Sequence, residues 1–142
     1  MTWNVEHGQI RKLVFAGFVT LISIIVLHQP WLSLQNAIIG GSAVTIPQMA
    51  FLKASVGFFT SLAILAICRL AVGKLSFGSI AIAIVVQILW IEFEWNFSVR
   101  TADVGELVIR FAEELGALLA GGSLIGFLRL WKKGFADSRT QQ

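Results

Sequence analysis

Residues Ile91–Gly122 read IEFEWNFSVRTADVGELVIRFAEELGALLAGG and hold six of the eight acidic residues of a 142-residue chain. The sequence to either side is apolar and nearly uncharged. Such a stretch belongs either to the surface of a soluble domain or to a helical hairpin that turns at the edge of a membrane. Composition decides between them. Only 13% of the residues are charged and 56% are hydrophobic, with a mean hydropathy of +0.80. A soluble domain carries about 25% charged residues. Half that charge, with several uncharged runs of roughly 18 residues or more, assigns the chain to the bilayer.

Working outward from the hairpin, the apolar runs predict an all-α integral membrane four-helix bundle in one domain, 1–142. The expected transmembrane helices cover about 11–31, 49–72, 76–95 and 103–131. The basic pair Arg11-Lys12 before an apolar run fits a signal peptide, but Glu6 and a poor cleavage site favour an uncleaved first helix. Pro30, Gly40-Gly41-Ser42 and Pro47 read as breakers, so 29–48 is expected to be a connecting loop. The alternative for that loop is an interfacial or re-entrant segment, seated through Trp31, Leu32, Leu34, Ile38 and Ile39.

Orientation follows from the cations. With both termini cytoplasmic, the inner side receives eight of them: Arg11, Lys12, Arg69, Lys74, Arg129, Lys132, Lys133 and Arg139. The outer half receives Lys53, Arg100 and Arg110, which satisfies the positive-inside rule. Trp3 and Trp131 then form an inner aromatic belt, and Trp31, Trp90 and Trp95 an outer one. Basic residues scattered singly at helix ends exclude nucleic acid as a partner; the bilayer is the expected one. Cys68 allows no internal disulfide and reads as a small buried packing residue. His7 and His28 stand alone, with no metal-ligand spacing, so neither a metal nor a cofactor is expected.

Depth and angle sharpen the hairpin. Counting back ~20 residues from Trp131 puts a hydrocarbon boundary near Phe111. Asp103 and Glu106 then stand above it, Arg110 at it, and Glu113-Glu114 just below. None reaches the midplane, which weakens any reading as a proton or ion path. At ~100° per residue these five share one face of the last helix. Arg110 is four residues from both Glu106 and Glu114, so one guanidinium is expected to bridge two carboxylates. Two readings follow: a self-neutralising structural seam, or an outward-opening polar pocket in which Arg100, Arg110 and Lys53 meet an anionic headgroup or carboxylate. Lys53, snorkelling outward, is expected to pair with Glu92, Glu94 or Glu113. Below the charges the last helix turns to small residues, and Gly116, Gly122 and Gly126, with Gly57 on the second helix, are expected to allow close helix packing.

At this hairpin the chain resembles the VanZ-like family of small membrane proteins. Glu92 and Arg100 match that family's helix-ending Glu and following Arg. Asp103 and Glu106 match the acidic opening of its last helix, and Gly116, Ala117, Gly121 and Gly122 the small residues beyond. Trp95 stands where the family has Gln, Arg110 where it has Asn and Glu113 where it has Gly; its basic motif on the second helix is reduced to Lys53. The resemblance implies a four-helix protein with outward polar residues, in the bacterial cytoplasmic (inner) membrane. It also implies a link to the cell envelope and to low-level glycopeptide antibiotic resistance.

The expected function is therefore a VanZ-like membrane protein whose charged hairpin binds an envelope ligand or lipid. The alternative is an accessory or structural transmembrane subunit, with membrane protein partners or a homo-oligomer. A small transporter is a weaker reading, because the first helix carries no charge in its apolar run. An enzyme is not expected: no nucleophile–base pair and no phosphate-binding glycine loop is visible.

Overall fold

The computed structural model describes the backbone of residues 3–40, 43–98 and 103–140, and the side chains of 7–40, 43–97 and 103–134. Those residues form four α-helices: α1 (Trp3–Ile39), α2 (Ile46–Val72), α3 (Phe77–Ser98) and α4 (Val104–Thr140). No strand is present among them. Each helix contains an apolar span long enough to cross a membrane, the shortest being the 21 residues Phe77–Phe97. At 1.5 Å per residue that span covers about 32 Å, close to the ~30 Å hydrocarbon thickness of a bilayer. Large apolar side chains face outward along the bundle, Leu70 at 87% and Phe51 at 77% exposure being extreme cases. A water-soluble monomer rarely leaves apolar surface uncovered on this scale.

The first helix differs from expectation. It does not stop near Trp31 but continues through Pro30 to Ile39, so 29–39 is helix rather than connecting loop. Pro30 has no N–H to offer the carbonyl of Val26, a defect worth about 3 kcal/mol in an aqueous helix. Packed apolar helices tolerate it, because neighbouring groups and local adjustment re-satisfy the backbone. The connection to α2 is correspondingly short. Pro47 lies in the first turn of α2, where its missing N–H costs nothing. The Thr45 N–H donates to Gln48 Oε1 at 3.0 Å, closing that helix start.

The α2–α3 link is made by glycine and serine chemistry. Gly73 adopts φ +84°, a conformation open to glycine, and its N–H donates to the Arg69 carbonyl at 2.9 Å. Ser76 Oγ then accepts from the Ser79 N–H at 3.1 Å and starts α3. At the head of α4, Asp103 Oδ1 accepts from the Val104 N–H at 2.6 Å. The Asp103 N–H in turn donates to Glu106 Oε2 at 3.3 Å.

The helices alternate in direction. His28 of α1, Lys53 of α2, Glu94 of α3 and Glu113 of α4 meet at one end, while Leu75 and Leu128 pack against the cluster of Leu65, Ile80 and Ile84 toward the other. Around the bundle the order is α1, α2, α4, α3, with α2 and α3 touching across the centre and no contact between α1 and α4 among the described residues. The most extensive interface is α2 against α4. Its cause is a reciprocal pair of glycines. A Cβ on Gly57 would strike the Glu113 carbonyl, and one on Gly116 would strike the Ala54 carbonyl and lie 2.9 Å from the Phe58 nitrogen. Gly121 serves α3 in the same manner, where a Cβ would stand 2.8 Å from Ile84 Cγ1. Among the described residues Gly122 and Gly126 take no part in packing: nothing lies within 4 Å of a Cβ built on either, and both are exposed.

Candidate functional site

Three helices each carry two polar residues seven positions apart: His28 and Gln35 on α1, Lys53 and Thr60 on α2, Gln87 and Glu94 on α3. Seven residues are two helical turns, about 10.5 Å, so both members of each pair stay on one face. All six line a single cavity of about 70 Å³, joined by Trp31, Trp90 and Glu113 and backed by aliphatic residues such as Ile24, Val56 and Ile64. The cavity lies toward the end where α1 and α3 finish and α2 and α4 begin. It reaches inward to Gln87, the midpoint of the 22-residue α3.

Charges ring it as pairs. Lys53 Nζ is 3.5 Å from Glu113 Oε2, with both side chains largely buried. The same Glu113 oxygen accepts from Trp95 Nε1 at 3.4 Å. His28 Nε2 stands 3.8 Å from Glu94 Oε1, an ion pair when the imidazole is protonated, and its ring meets Trp90 edge-on with centroids 6.1 Å apart. The glycine contact is what makes the first pair possible, since Gly57 brings the α4 backbone at Glu113 directly against α2, one turn from Lys53.

The walls hold more hydrogen-bonding capacity than the protein uses. Gln87 is only 5% exposed. Its Oε1 accepts from Ser61 Oγ, but its Nε2 has no partner among the described residues. Thr60 Oγ1, Trp31 Nε1 and Trp90 Nε1 are likewise buried and unpartnered. An unmade hydrogen bond of this kind costs ~1–3 kcal/mol, and four of them lie in the walls of one cavity.

The remaining charges lie elsewhere. Arg110 Nε is 3.4 Å from Glu92 Oε1 on α3, with the guanidinium 5.4 Å from the centre of the Phe111 ring. Glu114 lies within electrostatic reach of Glu92 and Arg110, and its Oε1 is buried without a hydrogen-bond partner among the described residues. The expected bridge on one helix, from Arg110 to Glu106 and Glu114, is therefore replaced by pairs between helices. Glu106 closes the α4 cap instead, together with Asp103. Of the Lys53 partners expected, the structure selects Glu113. Arg100 lies outside the described residues. No group of three His, Cys, Asp or Glu side chains is arranged to hold a metal ion among the described residues.

Sequence reasoning did not assign His28, Trp31, Gln35, Thr60, Gln87 and Trp90 to a site, reading His28 as isolated and Trp31 and Trp90 as an interfacial belt. Pro30 concealed Gln35 by ending the expected helix near Trp31. The seven-residue spacing of His28 and Gln35, Lys53 and Thr60, and Gln87 and Glu94 was the signal available, and it gives a shared face on each helix without giving the convergence of the three faces. No family model matches the chain, and neither a curated protein nor a solved structure does.

Proposed function

We propose that this is an integral membrane protein that binds a lipid or another envelope ligand at the polar end of its bundle. The observation that carries the reading is the convergence of Lys53, Gln87, Glu94 and Glu113, from three helices, on a cavity whose buried polar atoms lack partners. In this reading the termini are cytoplasmic and the polar end faces outward, as the distribution of Lys and Arg favours. The VanZ-like pattern of Glu92, Asp103 and Glu106 supports a place in the bacterial cell envelope. Lys53 and Glu113 hold the cavity mouth, and Arg110 with Glu92 fastens α4 to α3 beside it.

The test is purification in mild detergent followed by mass spectrometry of whatever remains bound. A defined lipid or envelope metabolite retained by the native chain, and lost on Lys53→Met, is the expected result. Retention of nothing but bulk lipid would defeat the reading. A second reading, an accessory subunit, is favoured by the exposed α4 face at Gly122 and Gly126, which is open to close approach by another helix. Stoichiometric protein partners in the same preparation would select it.

A further inference from the structure

Resting on the binding reading above, we propose that the cavity accepts a small uncharged hydroxylated group, of the size and chemistry of a terminal glycerol diol. Size comes first. An apolar cavity of about 150 Å³ holds a benzene molecule, and this one is about 70 Å³. A group of a few heavy atoms matches it.

Charge narrows the choice. The ammonium of Lys53 already has its carboxylate at 3.5 Å, and Glu94 has His28 at 3.8 Å. An entering anion would face the Glu94 and Glu113 carboxylates, and an entering cation would face Lys53 and the N–H donors of the wall. An uncharged group disturbs neither pair.

Hydrogen bonding settles the type. Trp31 Nε1, Trp90 Nε1 and Gln87 Nε2 are donors without partners among the described residues, and Thr60 Oγ1 is either donor or acceptor. The Glu94 and Glu113 carboxylates, in the same walls, accept several bonds each. An occupant must therefore accept at some atoms and donate at others while staying small and neutral. The hydroxyl is the smallest group that does both, and a vicinal diol supplies two within the available space. Its carbons would lie against Ile24, Val56 and Ile64.

The diol is either the headgroup of a lipid or free glycerol, and the experiment separates them. The full chain is placed, without glycerol in any buffer, in phosphatidylcholine nanodiscs doped equally with monoacylglycerol, phosphatidylglycerol, phosphatidylethanolamine and phosphatidic acid. Lipids that stay bound are counted by native mass spectrometry. Retention of monoacylglycerol and phosphatidylglycerol over phosphatidic acid and phosphatidylethanolamine, by about tenfold, is expected, and Gln87→Leu should remove that preference. Displacement of these lipids by millimolar glycerol identifies the free diol as the occupant; resistance to it identifies the lipid. Gly122→Ala, remote from the cavity, serves as the control, and thermal melting verifies that both variants fold. Phosphatidic acid or phosphatidylethanolamine retained as well as the diols overturns the inference while leaving the binding function intact. No lipid retained above its doped fraction, with no glycerol-induced rise in melting temperature, overturns both.

Discussion

The two sides of the bundle solve the problem of packing in opposite ways. Where α2 meets α4, Gly57 and Gly116 let backbone touch backbone, and there is no room for even a methyl group. Where α1 packs against α2 and α3, bulky and polar side chains (Trp31, Gln35, Gln87, Trp90) hold the helices around a cavity and leave donors unpaired. In lipid, helix association rests on close van der Waals contact rather than on expulsion of water. The α2–α4 side has that contact and supplies rigidity. The α1 side forgoes it, and such a local departure from good packing and polar satisfaction is where a protein keeps a function. Glu113 joins the two sides, being packed through its backbone against Gly57 while its carboxylate, paired with Lys53, lines the cavity.

The largest effect is expected at the tight side. Gly116→Val must push α4 away from the Ala54 carbonyl, and overpacking against rigid backbone should cost about 3 kcal/mol. Gly122→Val, six residues along the same helix but facing no other described residue, should stay within about 0.5 kcal/mol. Denaturant unfolding in mixed micelles checks both. If Gly122→Val proved the worse of the two, the α2–α4 glycine pair could not be the structural spine.

Next comes the joint between the sides. Lys53→Met leaves the Glu113 carboxylate buried without its cation, and breaking a buried pair costs about 3 kcal/mol. The double variant Lys53→Met/Glu113→Gln removes both charges and should recover most of that loss. A double-mutant cycle measures the coupling directly. A coupling near zero would mean that Trp95, not Lys53, holds Glu113.

How far the sequence carries is clear from particular residues. Four apolar runs and a charged hairpin are enough to predict four membrane-length helices, because hydropathy and length are one-dimensional properties. Lys53 was also legible, since a lone cation four residues into an apolar run needs an acid at its level. Two things were not. Pro30 reads as a helix end by rules learned in water, where a missing backbone bond is not repaired by packed neighbours. Arg110 sits at ideal spacing from Glu106 and Glu114, yet pairs with Glu92 on α3. Local spacing gives the pairs available within a helix, and a neighbouring helix offers another that sequence does not rank. Glu106 shows the same competition, serving the Asp103 N–H at the helix start. The cavity was invisible for a related reason: Gln35, Thr60 and Gln87 are each unremarkable alone, and only the fold shows that their faces converge.

The smallest effect tests whether the loose side is held by its polar contacts at all. Ser61 donates to Gln87 across the α2–α3 contact and sets the orientation of that amide in the cavity wall. Interhelical hydrogen bonds in membranes average about 0.6 kcal/mol, so Ser61→Ala should lower stability by about that much and leave helix packing unchanged. The sharper consequence concerns Gln87, whose free amide would then have no anchor and could turn either end toward the cavity. Ligand retention should fall in Ser61→Ala by several-fold more than the stability change accounts for, whereas Gly116→Val should reduce retention only in proportion to unfolding. Equal proportionality in both variants would show that the two sides of the bundle do not differ in role, and that the unpaired donors are tolerated imperfections of packing.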